Sequence, residues 1–386
     1  MPRLPSSLLR HARRQHPLLP LLLRPCRDLS SARNELRWLR EKALEVAQTT
    51  SPKTKWQVTL RQSCLERSRG MPLQYILGTQ PFGNLEILCR PGVLIPRPET
   101  EAITTHLASL LQPPSAPTPS LYPKRTTKNK PLASQAPLRI LDLCTGTGCI
   151  PLLLHALLSP HTPSLHISGI DISPRSTTLA HKNLTHNIKT GSLPQPAKKQ
   201  LSFHQADIFS NNDSAQWAGH STWDVLVSNP PYISPCAFNT TTSRSVRTYE
   251  PKTALVPHVN NNTAPPAIDH VDADTAVGDA FYPRLLCIAA QIHAKVLLME
   301  VADFDQAVRV IGLLLATRAW EGCEIWRDEP GARKGRAEEE VVVGGGGCRF
   351  AFPSIIQKAT PAEHRSSTLL QITQPRIKSK GMEANR

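Results

Sequence analysis

The tetrapeptide Asn229-Pro230-Pro231-Tyr232 carries the most specific chemistry in this chain of 386 residues. The side-chain oxygen of Asn229 can accept one N–H of a planar –NH2 group, and the carbonyl of Pro230 can accept the other. The two prolines stiffen the loop and keep that carbonyl aimed at a ligand. Tyr232 can stack on the planar group and exclude water. The tetrapeptide is therefore the candidate catalytic and substrate-binding element for group transfer to a planar nitrogen.

A glycine-rich turn follows a predicted strand over residues 138–143. The turn, Cys144-Thr145-Gly146-Thr147-Gly148, lets the backbone approach a ligand closely, and the next helix offers free N–H groups. A dinucleotide fingerprint would need a small residue at position 151, where the chain has Pro151. The turn therefore favours a nucleotide ligand that has no pyrophosphate.

Acidic residues follow the next two predicted strands. Asp171 can accept hydrogen bonds from both hydroxyls of a ribose. Asp207 can accept from the exocyclic amine of adenine, while Ile208 packs on the ring. With the glycine turn, these residues predict an adenosine cofactor, which we interpret as S-adenosylmethionine. The candidate cofactor-binding residues are Asp142, Cys144, Thr145, Gly146, Thr147, Gly148, Asp171, Asp207, Ile208 and Asn229.

Strands and helices must alternate to position these residues. The apolar pattern predicts strands at 138–143, 165–170, 201–205, 224–227 and 295–300, and helices at 148–158, 174–187 and 280–293. This order predicts an α/β fold with a doubly wound parallel sheet, which binds ligands at the carboxyl ends of its strands. Residues 28–70 are predicted to be helical, with a break at Ser51-Pro52 and a second helix at about 56–68.

The net charge of +15 is concentrated in three segments. Residues 1–27 carry +6, residues 112–137 carry +4 and residues 354–386 carry +4. The rest of the chain is nearly neutral, which weakens an argument for nucleic-acid binding. Segments 112–137 and about 257–276 are predicted to be disordered insertions, and residues 353–386 a disordered basic tail.

Residues 1–27 contain six Arg and no acid, a composition typical of a mitochondrial presequence. A secretory signal and a disordered basic N-terminus are the alternatives, and a cleavage site between Arg24 and Ser31 is the expectation. No apolar run approaches the roughly 18 residues of a membrane-spanning helix, so an integral membrane protein is excluded. Nine Cys, an odd number without C-x-x-C spacing, favour a reducing compartment and no metal site.

The tetrapeptide and the segment Asp142 to Gly148 together resemble those of class I methyltransferases that modify planar nitrogens. Further segments are similar to the hallmark of peptide chain release factor glutamine methyltransferases. The resemblance covers about residues 28–352. These segments are Arg69 to Gly78, Phe82-Gly83, Leu94 to Glu101, Tyr249 to Leu255, Gly278 to Tyr282, Leu297 to Glu300 and Trp326 to Asp328.

The resemblance implies methyl transfer from S-adenosylmethionine to the side-chain amide nitrogen (N5) of the glutamine in the Gly-Gly-Gln motif of a release factor. It implies a helical domain with a β-hairpin at 28–95 that helps bind the release factor, the hairpin spanning 81–95. Residues 96–352 would form a seven-stranded methyltransferase domain, with 96–101 bordering the cofactor pocket. We expect a monomer in the mitochondrial matrix that contacts neither membrane nor nucleic acid. Cys144 departs from the family pattern, which usually has Gly there.

Two alternatives remain at this stage. A nucleic-acid N-methyltransferase, acting on adenine N6 or guanine N2, would share the chemistry of the tetrapeptide. It would not account for the segment 69–101, and it would normally present a positive groove. A catalytically silent subunit with the same fold would usually lose the glycine turn or the tetrapeptide, and both are present here.

Overall fold

The computed structural model describes residues 3–49, 55–112, 137–210, 220–258, 272–320, 322–326, 342–344 and 368–373. Nearly all of the insertion predicted at 112–137, most of the one at 257–276 and most of the tail lie outside these residues. The break predicted at Ser51-Pro52 lies outside them as well. Within the described ranges, no helix has the length and apolarity needed to cross a membrane.

The first part of the chain is a bundle of five helices. Helix α2 places leucines at positions i, i+3 and i+4, so one face buries Leu19, Leu22 and Leu23 against Leu39 and Cys64. The helices are α1 (Ser6–Gln15), α2 (Leu19–Cys26), α3 (Leu29–Thr49), α4 (Trp56–Ser68) and α5 (Leu73–Leu77). The bundle therefore has a hydrophobic core of its own.

A buried ion pair joins two helices of this bundle. Arg67 of α4 donates from Nε and Nη2 to the two carboxylate oxygens of Glu35 on α3, at 2.8 Å each. Glu35 is buried, so this bidentate pairing compensates for the loss of hydration. The pair fixes α3 against α4 next to the hydrophobic core.

The structure moves the predicted boundary of the helical domain. We predicted that residues 1–27 precede a domain beginning at residue 28, but α1 and α2 belong to the bundle and contribute Ala12, Leu22 and Leu23 to its core. Arg10 and Arg24 remain exposed on these helices. Removal of the segment as a presequence stays a prediction, and it would delete much of this core.

The second part of the chain is an α/β domain. Five neighbouring strands are parallel to one another. Three further strands continue the sheet at one edge, each antiparallel to the strand before it. The order in the sheet is β5-β4-β3-β6-β7-β10-β8-β9. The strands are β3 (Leu138–Leu143), β4 (Leu165–Asp171), β5 (Leu201–Gln205), β6 (Val225–Ser228), β7 (Val296–Val301), β8 (Gly322–Trp326), β9 (Val342–Gly344) and β10 (Thr368–Thr373).

Helices cover both faces of this sheet. Successive strand residues alternate between two apolar clusters, so Ile140 and Leu298 face one cluster while Leu141 and Leu297 face the other. The predicted doubly wound α/β fold is confirmed. The helices are α6 (Pro98–Leu111), α7 (Cys149–Leu158), α8 (Pro174–Lys189), α9 (Ala197–Gln200), α10 (Pro235–Thr240), α11 (Arg244–Tyr249), α12 (Ala273–Gly278), α13 (Phe281–Gln291) and α14 (Phe304–Thr317).

A β-hairpin connects the two parts. Strands β1 (Thr79–Phe82) and β2 (Leu85–Leu88) form it, so it lies earlier than the predicted range 81–95. Asn183 and Asn187 of α8 accept hydrogen bonds from the N–H groups of Leu88 (2.7 Å) and Glu86 (3.1 Å). These side chains satisfy the exposed edge of β2 and attach the hairpin to the α/β domain.

Three sequence predictions need correction. The sheet contains eight strands among the described residues, and the predicted number of seven is not confirmed. The insertion at 257–276 ends earlier than predicted, because Asp272 caps α12 by accepting from the N–H groups of Asp274 and Thr275. Residues 368–373 form β10, between β7 and β8, where we predicted a disordered tail.

The burial of α2 predicts that Leu23→Ala destabilises the helical bundle by about 2–5 kcal/mol, because it removes buried methyl groups and leaves a cavity. Urea unfolding followed by the fluorescence of the bundle tryptophans measures this change. Arg24→Ala, a substitution at the exposed neighbouring position, is the matched control and should change stability by less than about 0.5 kcal/mol. Equal effects of the two substitutions would show that α2 does not pack as described.

Candidate active site

The glycine turn lies at the carboxyl end of β3 and leads into α7. Gly146 and Gly148 have φ values of 56° and 77°, in the left-handed region that favours glycine. A Cβ at Gly148 would approach the Cβ of Ala180 to 2.9 Å, whereas one at Gly146 would meet nothing within 4 Å. Gly148 therefore permits close packing below the turn, while Gly146 leaves the space above it open.

Asp171, at the end of β4, holds this turn in place. One carboxylate oxygen accepts from the N–H of Gly146 and the other from the N–H of Ser173, each at 2.8 Å. Burial raises the pKa of Asp171 above its usual value, although these two bonds oppose the shift. Both carboxylate oxygens are thus fixed at the point where the sequence predicts a ribose.

Asp142, in β3, is fully buried below the turn. Among the described residues, neither of its carboxylate oxygens has a hydrogen-bond partner, and the hydroxyl of Thr145 also lacks one. The pKa of Asp142 is raised to about 8, because burial, with a smaller effect of the Asp171 charge, outweighs the lowering by the nearby Thr145 hydroxyl. Buried polar groups without partners are costly, and the Thr145 hydroxyl, which lines the cavity, is the one that a ligand can reach.

A cavity of about 250 Å³ opens above these strand ends. The glycine turn, the ends of β4 and β5, the tetrapeptide and the segment 92–100 surround it. The predicted site residues in its lining are Cys144, Thr145, Gly146, Thr147, Asp171, Asp207, Ile208, Asn229 and Pro231. The other predicted residues, Asp142, Gly148, Pro230 and Tyr232, are neighbours of lining residues and do not themselves line the cavity. The structure thus brings the predicted cofactor and substrate residues to one place.

The tetrapeptide follows β6, and its polar groups join a buried network. Asn229 donates from Nδ2 to the hydroxyl of Thr100 at 3.2 Å, and Thr100 donates to Glu300 at 2.8 Å. Tyr232 donates from its hydroxyl to the other carboxylate oxygen of Glu300 at 3.0 Å. Glu300, in β7, is 2% exposed, and burial raises its pKa to about 7. One carboxylate therefore connects both ends of the tetrapeptide.

Gln306 of α14 supports the backbone of the tetrapeptide. It donates from Nε2 to the carbonyl of Tyr232 at 3.2 Å and to the carboxylate of Asp279 at 2.8 Å. Arg309 pairs with Asp279 at 2.6 Å and neutralises that buried charge. A Cβ at Gly278 would come within 3.2 Å of the same Tyr232 carbonyl. The sequence segment 278–282 thus packs directly against the tetrapeptide.

Glu250 holds the opposite wall of the cavity. Its carboxylate accepts from the N–H of Ile95 at 3.1 Å and pairs with Arg97 at 2.8 Å. The Glu250 side chain is almost completely buried, and the ion pair and the backbone bond compensate for the hydration that its carboxylate loses. Two segments singled out in the sequence, 94–101 and 249–255, therefore form one clamp at the cavity.

The clamp also connects to the helical bundle. Ser245 of α11 donates to the carbonyl of Gly70 at 2.6 Å, and the Tyr75 hydroxyl of α5 donates to the carbonyl of Val93 at 2.7 Å. Val93 itself lines the cavity. The bundle is thus attached to the cavity wall through backbone carbonyls on both sides of the junction.

From the sequence, we predicted no role for Glu300 and placed Thr100 only within a segment that borders the cofactor pocket. Glu300 is an acid at the carboxyl end of a central strand, the same signal that identified Asp171, so it could have been found. The contact of Thr100 with Glu300 spans 200 positions and has no local signature. Phe281 and His258 also line the cavity and were not predicted.

Comparison with known proteins gives close relatives. The mitochondrial MRF1 N(5)-glutamine methyltransferase MTQ1 of Saccharomyces cerevisiae is 37% identical over 256 residues, 66% of this chain and 68% of the yeast protein. The probable mitochondrial MRF1 N(5)-glutamine methyltransferase of Schizosaccharomyces pombe is 37% identical over 63% of this chain and 70% of its own length. The release factor glutamine methyltransferase of Chlorobaculum tepidum is 34% identical over 51% and 56%.

Solved structures give a more distant likeness. The human METTL16 catalytic domain, in complex with MAT2A 3'UTR hairpin 1, matches with a TM-score of 0.43 and 13% identity over 81% of this chain and 83% of that one. The METTL16 N-terminal domain in complex with SAH matches with a TM-score of 0.39 and 12% identity over 79% and 82%. No family model matches the sequence. By its similarity to the two yeast proteins, the chain belongs to the family of release factor N5-glutamine methyltransferases.

Proposed function

We propose that this chain transfers the methyl group of S-adenosylmethionine to the side-chain amide nitrogen (N5) of a glutamine in a mitochondrial release factor. The single observation that carries the proposal is the position of Asn229 and Pro231 in the same cavity as the glycine turn and Asp171. This arrangement can present a planar amide to an adenosine cofactor. The names of the relatives supply the glutamine and the release factor.

The cofactor would supply a methyl group bound to a positively charged sulfur, and the residues of the glycine turn would hold it. Asp171 would bind the ribose, and Asp207 and Ile208 would bind the adenine. Asp142, buried next to Thr145, would support the glycine turn from below without touching the cofactor. The remaining steps depend on how the chain holds the amide.

An amide nitrogen is a poor nucleophile because its lone pair is delocalised into the carbonyl. The side-chain oxygen of Asn229 accepts one N–H of the glutamine, and the carbonyl of Pro230 accepts the other. These two bonds hold the nitrogen in line with the methyl group and localise its lone pair as the transfer proceeds. Tyr232 covers the planar amide and excludes water. As the N–C bond forms, the electron pair of the broken C–S bond would stay on sulfur and the surplus proton would pass from the nitrogen to solvent, so no separate general base is required.

The acceptor in this proposal is the glutamine of the Gly-Gly-Gln motif of the release factor, and the helical bundle helps to bind that protein. The bundle contacts the cavity wall directly, which supports a continuous docking path from bundle to cavity. The exposed arginines of α1 and α2 support import into the mitochondrial matrix. We propose that the enzyme acts as a monomer and binds neither membrane nor nucleic acid.

Purified enzyme should transfer labelled methyl groups to an intact mitochondrial release factor and not to one whose Gly-Gly-Gln glutamine is replaced by Ala. Asn229→Ala should reduce the rate at least about 100-fold, because the amide loses one of its two acceptors. Total RNA in a parallel reaction should remain unlabelled. Label on RNA in place of the release factor would contradict the proposal and favour a nucleic-acid N-methyltransferase.

Asp171→Ala should weaken S-adenosylmethionine binding by at least about tenfold, because the ribose loses its acceptor and the glycine turn loses the anchor of Gly146. Isothermal titration calorimetry measures this affinity. Glu45→Ala, at an exposed position of α3, should leave it unchanged. Equal affinity of the two variants would show that the cofactor does not lie against the end of β4.

A further inference from the structure

The carboxylate of Glu300 lies behind the tetrapeptide and binds only neutral partners among the described residues. Its two oxygens accept from the hydroxyls of Thr100 and Tyr232. The charge of Arg97 acts on it from a distance, but Arg97 forms its ion pair with Glu250. A buried carboxylate without a salt bridge is costly, and its only clear use here is to direct two hydroxyl protons.

The hydroxyl of Thr100 can donate only one hydrogen. Because that hydrogen points to Glu300, the hydroxyl can only accept on its other side. The neighbour on that side is Asn229, which must therefore present its –NH2 group to Thr100, at 3.2 Å. The oxygen of the same amide then faces away from Thr100. The charge of Glu300 thus determines the orientation of the Asn229 amide.

We propose that Thr100 and Glu300 are positioning residues that fix the Asn229 amide with its oxygen directed at the substrate nitrogen. This inference rests on the proposed function, because it concerns acceptance of an N–H from glutamine. A reversed amide would set the –NH2 of Asn229 against the –NH2 of the glutamine, two donors that form no hydrogen bond. The relay from Glu300 through Thr100 therefore controls productive binding of the acceptor.

The relay requires the ionised form of Glu300. A carboxylate accepts fully from both hydroxyls, whereas the protonated acid turns one of its oxygens into a donor. The pKa of Glu300 is raised to about 7, because burial and the charge of Glu99 together outweigh the bonds from Thr100 and Tyr232 and the charge of Arg97, which lower it. Tyr282 of α13 donates to the backbone carbonyl of Glu300 and stays neutral, since burial raises its pKa further. Burial raises the pKa of the Cys149 thiol of α7 to about 12, and the charge of Glu300 contributes to this shift, so the thiol stays neutral.

The first test compares two threonines of the same helix. Thr100→Val removes the relay hydroxyl and should lower kcat/KM for the release factor by about 10- to 100-fold. Thr104 is equally buried, but its hydroxyl bonds only to the helix carbonyl of Thr100, at 2.6 Å, so Thr104→Val is the matched control. Thr100→Ser keeps the hydroxyl and should restore most of the activity. The affinity for S-adenosylmethionine should stay within twofold in all three variants.

The second test follows the pH dependence of kcat at saturating cofactor. The wild-type rate should rise as the pH increases through about 7, because Glu300 ionises. Glu300→Gln imitates the neutral acid and should be slow and independent of pH in this range. Asp142→Asn is the control for the second carboxyl group with a raised pKa. This variant should weaken cofactor binding and keep the rise of kcat near pH 7.

The outcomes separate this inference from the proposed function. A wild-type enzyme that methylates the release factor, with Thr100→Val as active as Thr104→Val, would overturn the relay alone. A pH profile in Glu300→Gln that matches the wild-type profile would also overturn the relay alone, and this measurement requires only one folded variant. A wild-type enzyme that leaves the release factor unmethylated would overturn both.

Discussion

The burial of one carboxylate, Glu300, is the constraint on which the candidate active site depends. It lies in the central strand β7, 2% exposed, and accepts from Tyr232 directly and from Thr100, which in turn accepts from Asn229. Ionising a carboxyl group inside the protein is unfavourable, and the hydroxyls directed at Glu300 stabilise its negative charge. The same hydrogen bonds fix the orientation of the polar side chains in the tetrapeptide Asn229 to Tyr232.

The rest of the fold supports this arrangement. The parallel strands deliver the acids and the glycine turn to a common edge, because their carboxyl ends meet there. Gln306 fixes the backbone carbonyl of Tyr232, and Glu250 clamps the segment that carries Arg97 and continues into α6. The helical bundle attaches to the same clamp region. Rigid elements therefore hold a site that must place one amide nitrogen accurately.

The sequence predicted the parts of the site that have local signatures. Asp171 and the glycine turn follow strands with clear apolar patterns, and the structure brings them together. The pairing of Thr100 with Glu300 depends on tertiary packing alone. Strand β10 was missed because the basic composition of the tail outweighed its three apolar residues. The packing of α2 was missed because presequences and amphipathic domain helices have similar compositions. The features that we did not predict therefore depend mostly on contacts between residues far apart in the sequence.

The most direct test of the account is fragmentation mass spectrometry of the release factor after reaction with the enzyme. We expect one added methyl group on the side-chain nitrogen of the Gly-Gly-Gln glutamine. With Asn229→Ala, we expect the yield of this modification to fall at least about 100-fold. A methyl group on another residue, or an unchanged yield with Asn229→Ala, would contradict it.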